Sequence, residues 1–320
     1  MQIAQVRCPY ASSVADAEPF PVMDTSDWEI TQDETAGAGA KLWLTEPGTG
    51  TGWMFKSVTV KQGHVHGEDW AEKAAAHIAG FLGVPCARVE MATWKGFRGS
   101  IAASLRPRVY DLQPGRVLLE DRNAPGYVHR SKGQLHPGHS VANIRAALDG
   151  VLPPPDCDLP FGATAFDVFA GYLVLDAWIA NRDRHDNNWS VLKPSTTAGP
   201  LRLCGSYDHA NSLGYNLTDG ERARRLDDER QLLRWCEKGT AWRFEYPAGG
   251  PVPTLAETAA SALRLASADA RAHWTEQLGR VDDDNVRQVL ARVPGMSEPA
   301  RNFAARVLEV NRRRVLDACA

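Results

Sequence analysis

The chain of 320 residues carries 36 Lys plus Arg against 39 Asp plus Glu, a formal net charge of −3. Its 43% hydrophobic and 23% charged residues are those of an ordinary soluble globular protein, which excludes collagen-like, disordered and coiled-coil classes. So even a charge balance gives no support to a general nucleic-acid or membrane-surface binder.

Six cysteines (Cys8, Cys86, Cys157, Cys204, Cys236, Cys319) lie far apart with no CxxC pair, as expected of reduced thiols rather than a disulfide framework or a zinc site. The N-terminus lacks a basic start followed by an apolar run, so no signal peptide is expected. The most apolar stretch, Phe161 to Ala180, carries Asp167 and Asp176 inside it. Two carboxylates in hydrocarbon are costly, which makes this a core helix and leaves no membrane span. A cytoplasmic protein is expected.

Residues 1–34, with Pro9, Pro19 and Pro21, read as an extended arm. Lys41–Leu44 and Trp53–Lys56 follow as short strands joined by the turn-rich Glu46–Gly52. Asp69 to Leu82 has Trp70, Ala74, Ile78 and Leu82 at helical spacing, and Gly83 ends it. Arg88–Thr93 and Arg98–Leu105 read as a hairpin turning at Lys95-Gly96. Residues 110–160 are rich in Pro and Gly, with a loop at Pro153-Pro154-Pro155. Thr164 to Ala180 is a helix, then Trp189–Leu192 and Leu201–Ser206 are strands. Helices are expected over 256–278, 283–293 and 299–317, capped by Asp283 or Asp284 and by Ser297. The sequence thus divides into an arm (1–34), an N-lobe (35–109) and a helical C-lobe (110–320).

The chemistry concentrates in Asn181-Arg182-Asp183-Arg184-His185-Asp186-Asn187-Asn188, a polar loop between an apolar helix and a strand. The next strand exits into Ser206-Tyr207-Asp208-His209. Phosphoryl transfer needs a carboxylate to orient or deprotonate an acceptor hydroxyl, and oxygen ligands that hold Mg²⁺ against phosphates. Asp183, Asn188 five residues on, and Asp208 at a strand end follow that order. On the N-terminal side Lys56 ends a strand, where its ammonium suits α- and β-phosphates, and Glu72 sits one turn into the next helix, where it can pair with Lys56. Glu68 competes for that pairing. Thr35-Ala36-Gly37-Ala38-Gly39-Ala40-Lys41 can lend backbone N–H groups to phosphates, with Gly37, Gly39 and Lys41 as the binding candidates. Gly48–Gly52 is the rival phosphate loop. His64-Val65-His66, His136 and His139 have no further ligand at metal spacing and read as loop or strand-edge residues.

The octapeptide 181–188 resembles the N-x-D-R-H-x-x-N catalytic loop of HipA-like serine/threonine kinases, and Tyr207-Asp208 resembles their metal-binding strand end. The pattern Lys41-Leu42-Trp43-Leu44, Trp53-Met54-Phe55-Lys56 and Gly67 to Lys73 resembles their N-lobe. The resemblance spans roughly residues 35 to 315. It implies an α+β, bilobed protein-kinase-like fold with a small antiparallel-sheet N-lobe and a mainly helical C-lobe. It implies ATP and Mg²⁺ as cofactors, a protein or peptide acceptor, Asp183 as base, Asn188 and Asp208 as metal ligands, and Lys56 with Glu72 as the nucleotide-lobe pair. Direct nucleic-acid binding is not expected. Two departures stand out: the extra N-terminal subdomain of the family's toxins is expected to be missing or reduced, and His209-Ala210 replaces the usual aromatic residue and Gly. Competing readings are a kinase of a small molecule or biosynthetic peptide, a nucleotide-binding pseudokinase, and a metal-dependent phosphoesterase built on Asp183, His185 and Asp208.

Overall fold

The computed structural model describes residues 18–34, 41–129, 136–195 and 199–320. The N-terminal half is built on strands β1 (Val22–Asp24), β2 (Glu29–Glu34), β3 (Lys41–Thr45) and β4 (Gly52–Ser57). A short hairpin, β5 (Val60–Lys61) and β6 (His64–Val65), leads into helix α1 (Glu68–Leu82), and β7 (Val89–Trp94) and β8 (Phe97–Ala103) complete the lobe. The six long strands form one sheet in the order β1-β7-β8-β4-β3-β2. Every pairing in it is antiparallel except β1 with β7.

Alternation explains β3 and β4. Leu42, Leu44, Trp53 and Phe55 are buried together with Ala92 and Ile101, while the residues between them turn away from that cluster. Gly83 ends α1 in the left-handed conformation, φ 72°, where a side chain would be strained. The β7–β8 turn has positive φ at both Lys95 (47°) and Gly96 (81°), the geometry that matches strand twist in a two-residue hairpin.

The C-terminal half has strand β9 (Tyr110–Pro114), helices α2 (Gly115–Asp121), α3 (Val141–Ala147) and α4 (Ala165–Ile179), and strands β10 (Ser190–Pro194) and β11 (Arg202–Leu203). Helices α5 (Asp219–Asp227), α6 (Glu229–Glu237), α7 (Leu255–Leu265), α8 (Ala268–Gly279), α9 (Asp283–Arg292) and α10 (Glu298–Cys319) follow. The three strands pair antiparallel in the order β11-β10-β9. Helix α4 is buried at every position and forms the axis of this lobe, packed by α7 and α10. Its N-terminus is closed by a reciprocal capping box between Thr164 and Asp167.

Several expectations are corrected. Residues 22–34, read as part of an arm, supply two sheet strands; Phe20, just before them, is buried against His77 of α1, with ring centroids 4.2 Å apart. The sheet is mixed rather than purely antiparallel, because β1 enters alongside β7 in the same direction. The Pro- and Gly-rich 110–160 stretch contains α2 and α3. The single helix expected over 256–278 breaks at Ala266, whose backbone is extended, and restarts with Ser267 accepting the Ala270 N–H. Asp282 rather than Asp283 or Asp284 caps α9, whereas Ser297 caps α10. Among the described residues no helix is long and apolar enough to cross a membrane, and the five described cysteines are free thiols.

Candidate active site

The polar loop is organised by one guanidinium. Helix α4 ends at Ala180 with φ 58°, which turns the chain sharply out of the helix. Just inside that end the buried Asp176 carboxylate takes two hydrogen bonds from Arg184, Nε to Oδ2 at 2.7 Å and NH2 to Oδ1 at 2.8 Å. Arg184 also donates to the Asn188 carbonyl at 2.6 Å and to Ser206 Oγ at 2.9 Å, with the Tyr207 carbonyl at 3.5 Å. Loop 181–188 and the exit of β11 are therefore tied to the same buried cation. Asn181 adds a second tie, donating to Asp176 at 2.8 Å and accepting from the Asp183 N–H at 3.2 Å.

Within the loop Asp183 and Asn188 are linked, since Asn188 Nδ2 donates to the Asp183 carbonyl at 2.8 Å and leaves the Asn188 amide oxygen as an acceptor. The Asp183 carboxylate is held on both oxygens. Arg243 Nε lies 2.6 Å from Oδ1 and Asn211 Nδ2 lies 2.7 Å from Oδ2. The neighbouring Asp186 carboxylate accepts from the Tyr127 hydroxyl and faces His129 Nδ1 at 3.3 Å.

Asp208 sits where the two halves meet. The chain at Ser206 pairs in parallel with Cys86, with Ser206 N–H on the Pro85 carbonyl and Ala87 N–H on the Ser206 carbonyl. Two residues on, Asp208 has φ 61°, a left-handed conformation that Asp tolerates better than most residues. Its Oδ1 lies 2.8 Å from Lys56 Nζ. Burial opposes ionisation of Asp208, but Lys56 outweighs it, with help from Lys41 and His185, and holds the carboxyl at about 2. Burial likewise opposes charge on Lys56, and the carboxylates of Asp208, Glu72 and Asp183 overcome it and raise its pKa. Lys41 stands directly opposite Lys56 across β3 and β4.

Glu72 is buried on α1, but the direct Lys56–Glu72 ion pair expected from sequence is replaced by Lys56–Asp208. Glu72 Oε1 lies 3.6 Å from His209 Nδ1, and Oε2 has no hydrogen-bond partner among the described residues. The cause is the strand exit: the positive φ at Asp208 brings its carboxylate onto Lys56, while His209 turns inward to Glu72 and to Ser206 Oγ at 2.7 Å. Glu68 faces His66 at 3.5 Å. Gly37 and Gly39 lie outside the described residues; Lys41, the last member of that segment, begins β3. Gly48 and Gly50 form the β3–β4 turn, both at positive φ.

For a cation, the loop and strand exit offer hard oxygen donors, the Asp208 carboxylate and the Asn188 amide oxygen. Among the described residues no group of three or more His, Cys, Asp or Glu side chains forms a metal cage. A two-donor set of this kind suits Mg²⁺, which takes the rest of its shell from water and substrate phosphates, better than Zn²⁺. Sequence reasoning gave no role to Arg184, Arg243 or Asn211. Arg184 stood inside the recognised octapeptide, whereas Arg243 and Asn211 have no local pattern that marks them.

No protein-family model matches the chain, and no curated protein does. Among solved structures, the Helicobacter pylori proinflammatory kinase CtkA is similar with a TM-score of 0.71 at 16% identity, covering 93% of this chain and 97% of that one. A chain of the Shewanella oneidensis toxin–antitoxin complex of HipA, HipB and operator DNA gives a TM-score of 0.46 at 13% identity, covering 97% and 67%. The Leishmania major MAP kinase LmaMPK10 gives 0.28 at 13% identity, covering 92% and 82%. The last two similarities are too low to carry an argument. The likeness to CtkA runs through both halves described above, and it shows that this α+β chain has the bilobed fold of that kinase.

Proposed function

We propose that the protein is an ATP- and Mg²⁺-dependent phosphotransferase of the HipA-like Ser/Thr kinase kind, moving the γ-phosphate of ATP to a hydroxyl of a protein or peptide. One observation carries the reading: a single buried guanidinium, Arg184, ties the loop of Asp183 and Asn188 to the strand exit of Asp208, and Asp208 contacts Lys56 at 2.8 Å.

In this reading Lys56, with Lys41 opposite it, meets the α- and β-phosphates of the nucleotide. Asp208 and the Asn188 amide oxygen hold Mg²⁺, which when bound neutralises charge on the β- and γ-phosphate oxygens. Asp183 orients the acceptor hydroxyl and takes its proton as the new O–P bond forms and ADP departs. Asn211 and Arg243 fix the Asp183 carboxylate for that task, so little reorientation remains at the moment of transfer. Asp183, Asn188, Asp208 and Lys56 all lie among residues joined by short polar contacts, with Glu72 behind them against His209, and a binding module has no need of the Asp183 arrangement.

The reading is tested by thermal melting of the wild type and Asp208→Ala with ATP, with Mg²⁺ and with both, followed by transfer of labelled γ-phosphate by the wild type and Asp183→Ala. A ligand at about 100 times its Kd stabilises by about 2.7 kcal/mol. A shift that needs both ATP and Mg²⁺ and vanishes in Asp208→Ala is expected, as is loss of transfer in Asp183→Ala. No shift at millimolar MgATP overturns the reading.

A further inference from the structure

The loop between α6 and α7 delivers a cation onto Asp183 and is built to hold it there. Its ends are closed by the Ala241 N–H on the Pro253 carbonyl at 2.8 Å and the Leu255 N–H on the Gly239 carbonyl at 2.9 Å. Ala241 and Phe244 are buried, and Phe244 stacks on His139 with centroids 4.7 Å apart. The carbonyl of Arg243 accepts the Nδ1–H of His139 at 2.7 Å. The Arg243 side chain folds back over Trp242, its guanidinium carbon 3.7 Å from the ring centroid. Backbone and side chain are thus both restrained.

Held this way, Arg243 touches Asp183 through Nε alone. Its two terminal amino groups make no hydrogen bond among the described residues, and its side chain is 27% exposed. A purely orienting role explains this poorly. Asn211 already fixes the other carboxylate oxygen at 2.7 Å, so orientation alone does not call for a second, charged partner. What a guanidinium adds, and an amide does not, is a planar fork matched to a second anion. The surroundings favour such an anion. Exposed Arg182 donates to Thr240 Oγ1 at 3.0 Å on the same loop, and the nearby Asp186 is already engaged by Tyr127 and His129.

We propose that Arg243 determines acceptor specificity: its free amino groups take a carboxylate beside the hydroxyl to be phosphorylated, so the preferred acceptor is a Ser or Thr in an acidic peptide. The proposal rests on the phosphotransferase reading above.

The test compares paired Ser peptides, one flanked by Glu and one by Gln, with wild type, Arg243→Gln and Arg243→Lys, recording kcat and KM for peptide and for ATP. The wild type is expected to prefer the acidic peptide by about tenfold or more in kcat/KM, the scale of a charge-assisted pair. Arg243→Gln is expected to lower kcat alike on both peptides, because Arg243 also holds Asp183, and to bring their ratio close to one through the peptide KM, while Arg243→Lys keeps part of the ratio. Equal use of both peptides by the wild type overturns the proposal and leaves phosphotransfer standing. A ratio that survives in Arg243→Gln, or an equal loss on both peptides with a raised KM for ATP, overturns it as well, the latter assigning Arg243 to the phosphate. Absence of transfer to any peptide or protein by the wild type overturns both readings together.

Discussion

Arg184 and Asp176 form a two-pronged ion pair inside the C-terminal lobe, with both side chains only 2% exposed. Asp176 belongs to the all-buried helix α4, so its carboxylate has no route to water once Arg184 is gone. Breaking such a pair from one side leaves an uncompensated buried charge and costs about 3–5 kcal/mol. Arg184→Ala is therefore expected to lower the urea midpoint severely. Adding Asp176→Leu removes the stranded carboxylate and is expected to recover much of the stability. The loop's ties to the Asn188 carbonyl and Ser206 stay lost, so the response to MgATP is not expected to return. Urea titrations and melting curves of the single and double variants check both halves of this statement.

The way the loop is held explains what could be read from sequence. Alternation in Leu42, Leu44, Trp53 and Phe55, and helical spacing in α1 and α4, are local patterns, and they located those elements to within a residue or two. The octapeptide 181–188 is equally local, so the polar loop stood out. Residues 22–34 did not, because β1 pairs with the distant β7 and both short strands lack a long apolar run. The partners of Asp183 were illegible for the same reason. Arg243 lies 60 positions downstream and Asn211 28, at separations no spacing rule covers. The exchange of Glu72 for Asp208 at Lys56 depends on one backbone angle, φ 61° at Asp208, which a sequence does not display.

Close approach of β4 and β8 beside Lys56 depends on Gly99. A Cβ built there would lie 2.1 Å from the Lys56 carbonyl oxygen, a backbone atom that cannot swing aside. Gly99→Ala is expected to push the two strands apart at the Ser57–Gly99 register position and to cost about 1–3 kcal/mol, as overpacking does. Because the displaced strand β4 carries Lys56, the variant is also expected to weaken the MgATP-induced shift by more than a surface substitution such as Phe97→Ala, at a residue 59% exposed on β8 itself.

His139 gives the fold a pH dependence in the mildly acidic range. Burial pushes its pKa down from 6.5 to about 4, only partly offset by the bond to the Arg243 carbonyl. The ring is neutral in the fold, donating through Nδ1 and accepting the Trp189 indole N–H at Nε2 at 3.3 Å. Below about pH 6.5 the unfolded chain takes up a proton that the folded ring refuses, so stability falls as pH drops from 6.5 towards 4 and is flat above that window for this group. The full effect is on the order of 3 kcal/mol. His77, also pushed to about 4 by burial and by Lys73 and Arg292, adds a slope of the same sign. Urea titrations between pH 4.5 and 7.5 are expected to show a shallower slope in His139→Gln than in the wild type, whatever its absolute stability.

The Lys56–Asp208 contact acts in a lower window and with separable consequences. Asp208 is held at about 2 against an ordinary 3.8, so its contribution is present above about pH 3.8 and is lost as pH falls through 2. That contribution is on the order of 2 kcal/mol. Lys56→Met removes the partner that outweighs burial, and the Asp208 carboxyl then rises from its depressed value, with Lys41 and His185 left to oppose burial. The acid-dependent contribution of this group shrinks with it, because less of a folded-state shift remains to be lost. Comparing unfolding at pH 5 and pH 3, the wild type is expected to lose stability on acidification through this group. Lys56→Met is expected to lose less, and His139→Gln also to lose less, but only over the part above pH 4 where His139 acts, so a further measurement at pH 4 separates the two groups. An unchanged acid response in Lys56→Met would show that Lys56 does not control the ionisation of Asp208.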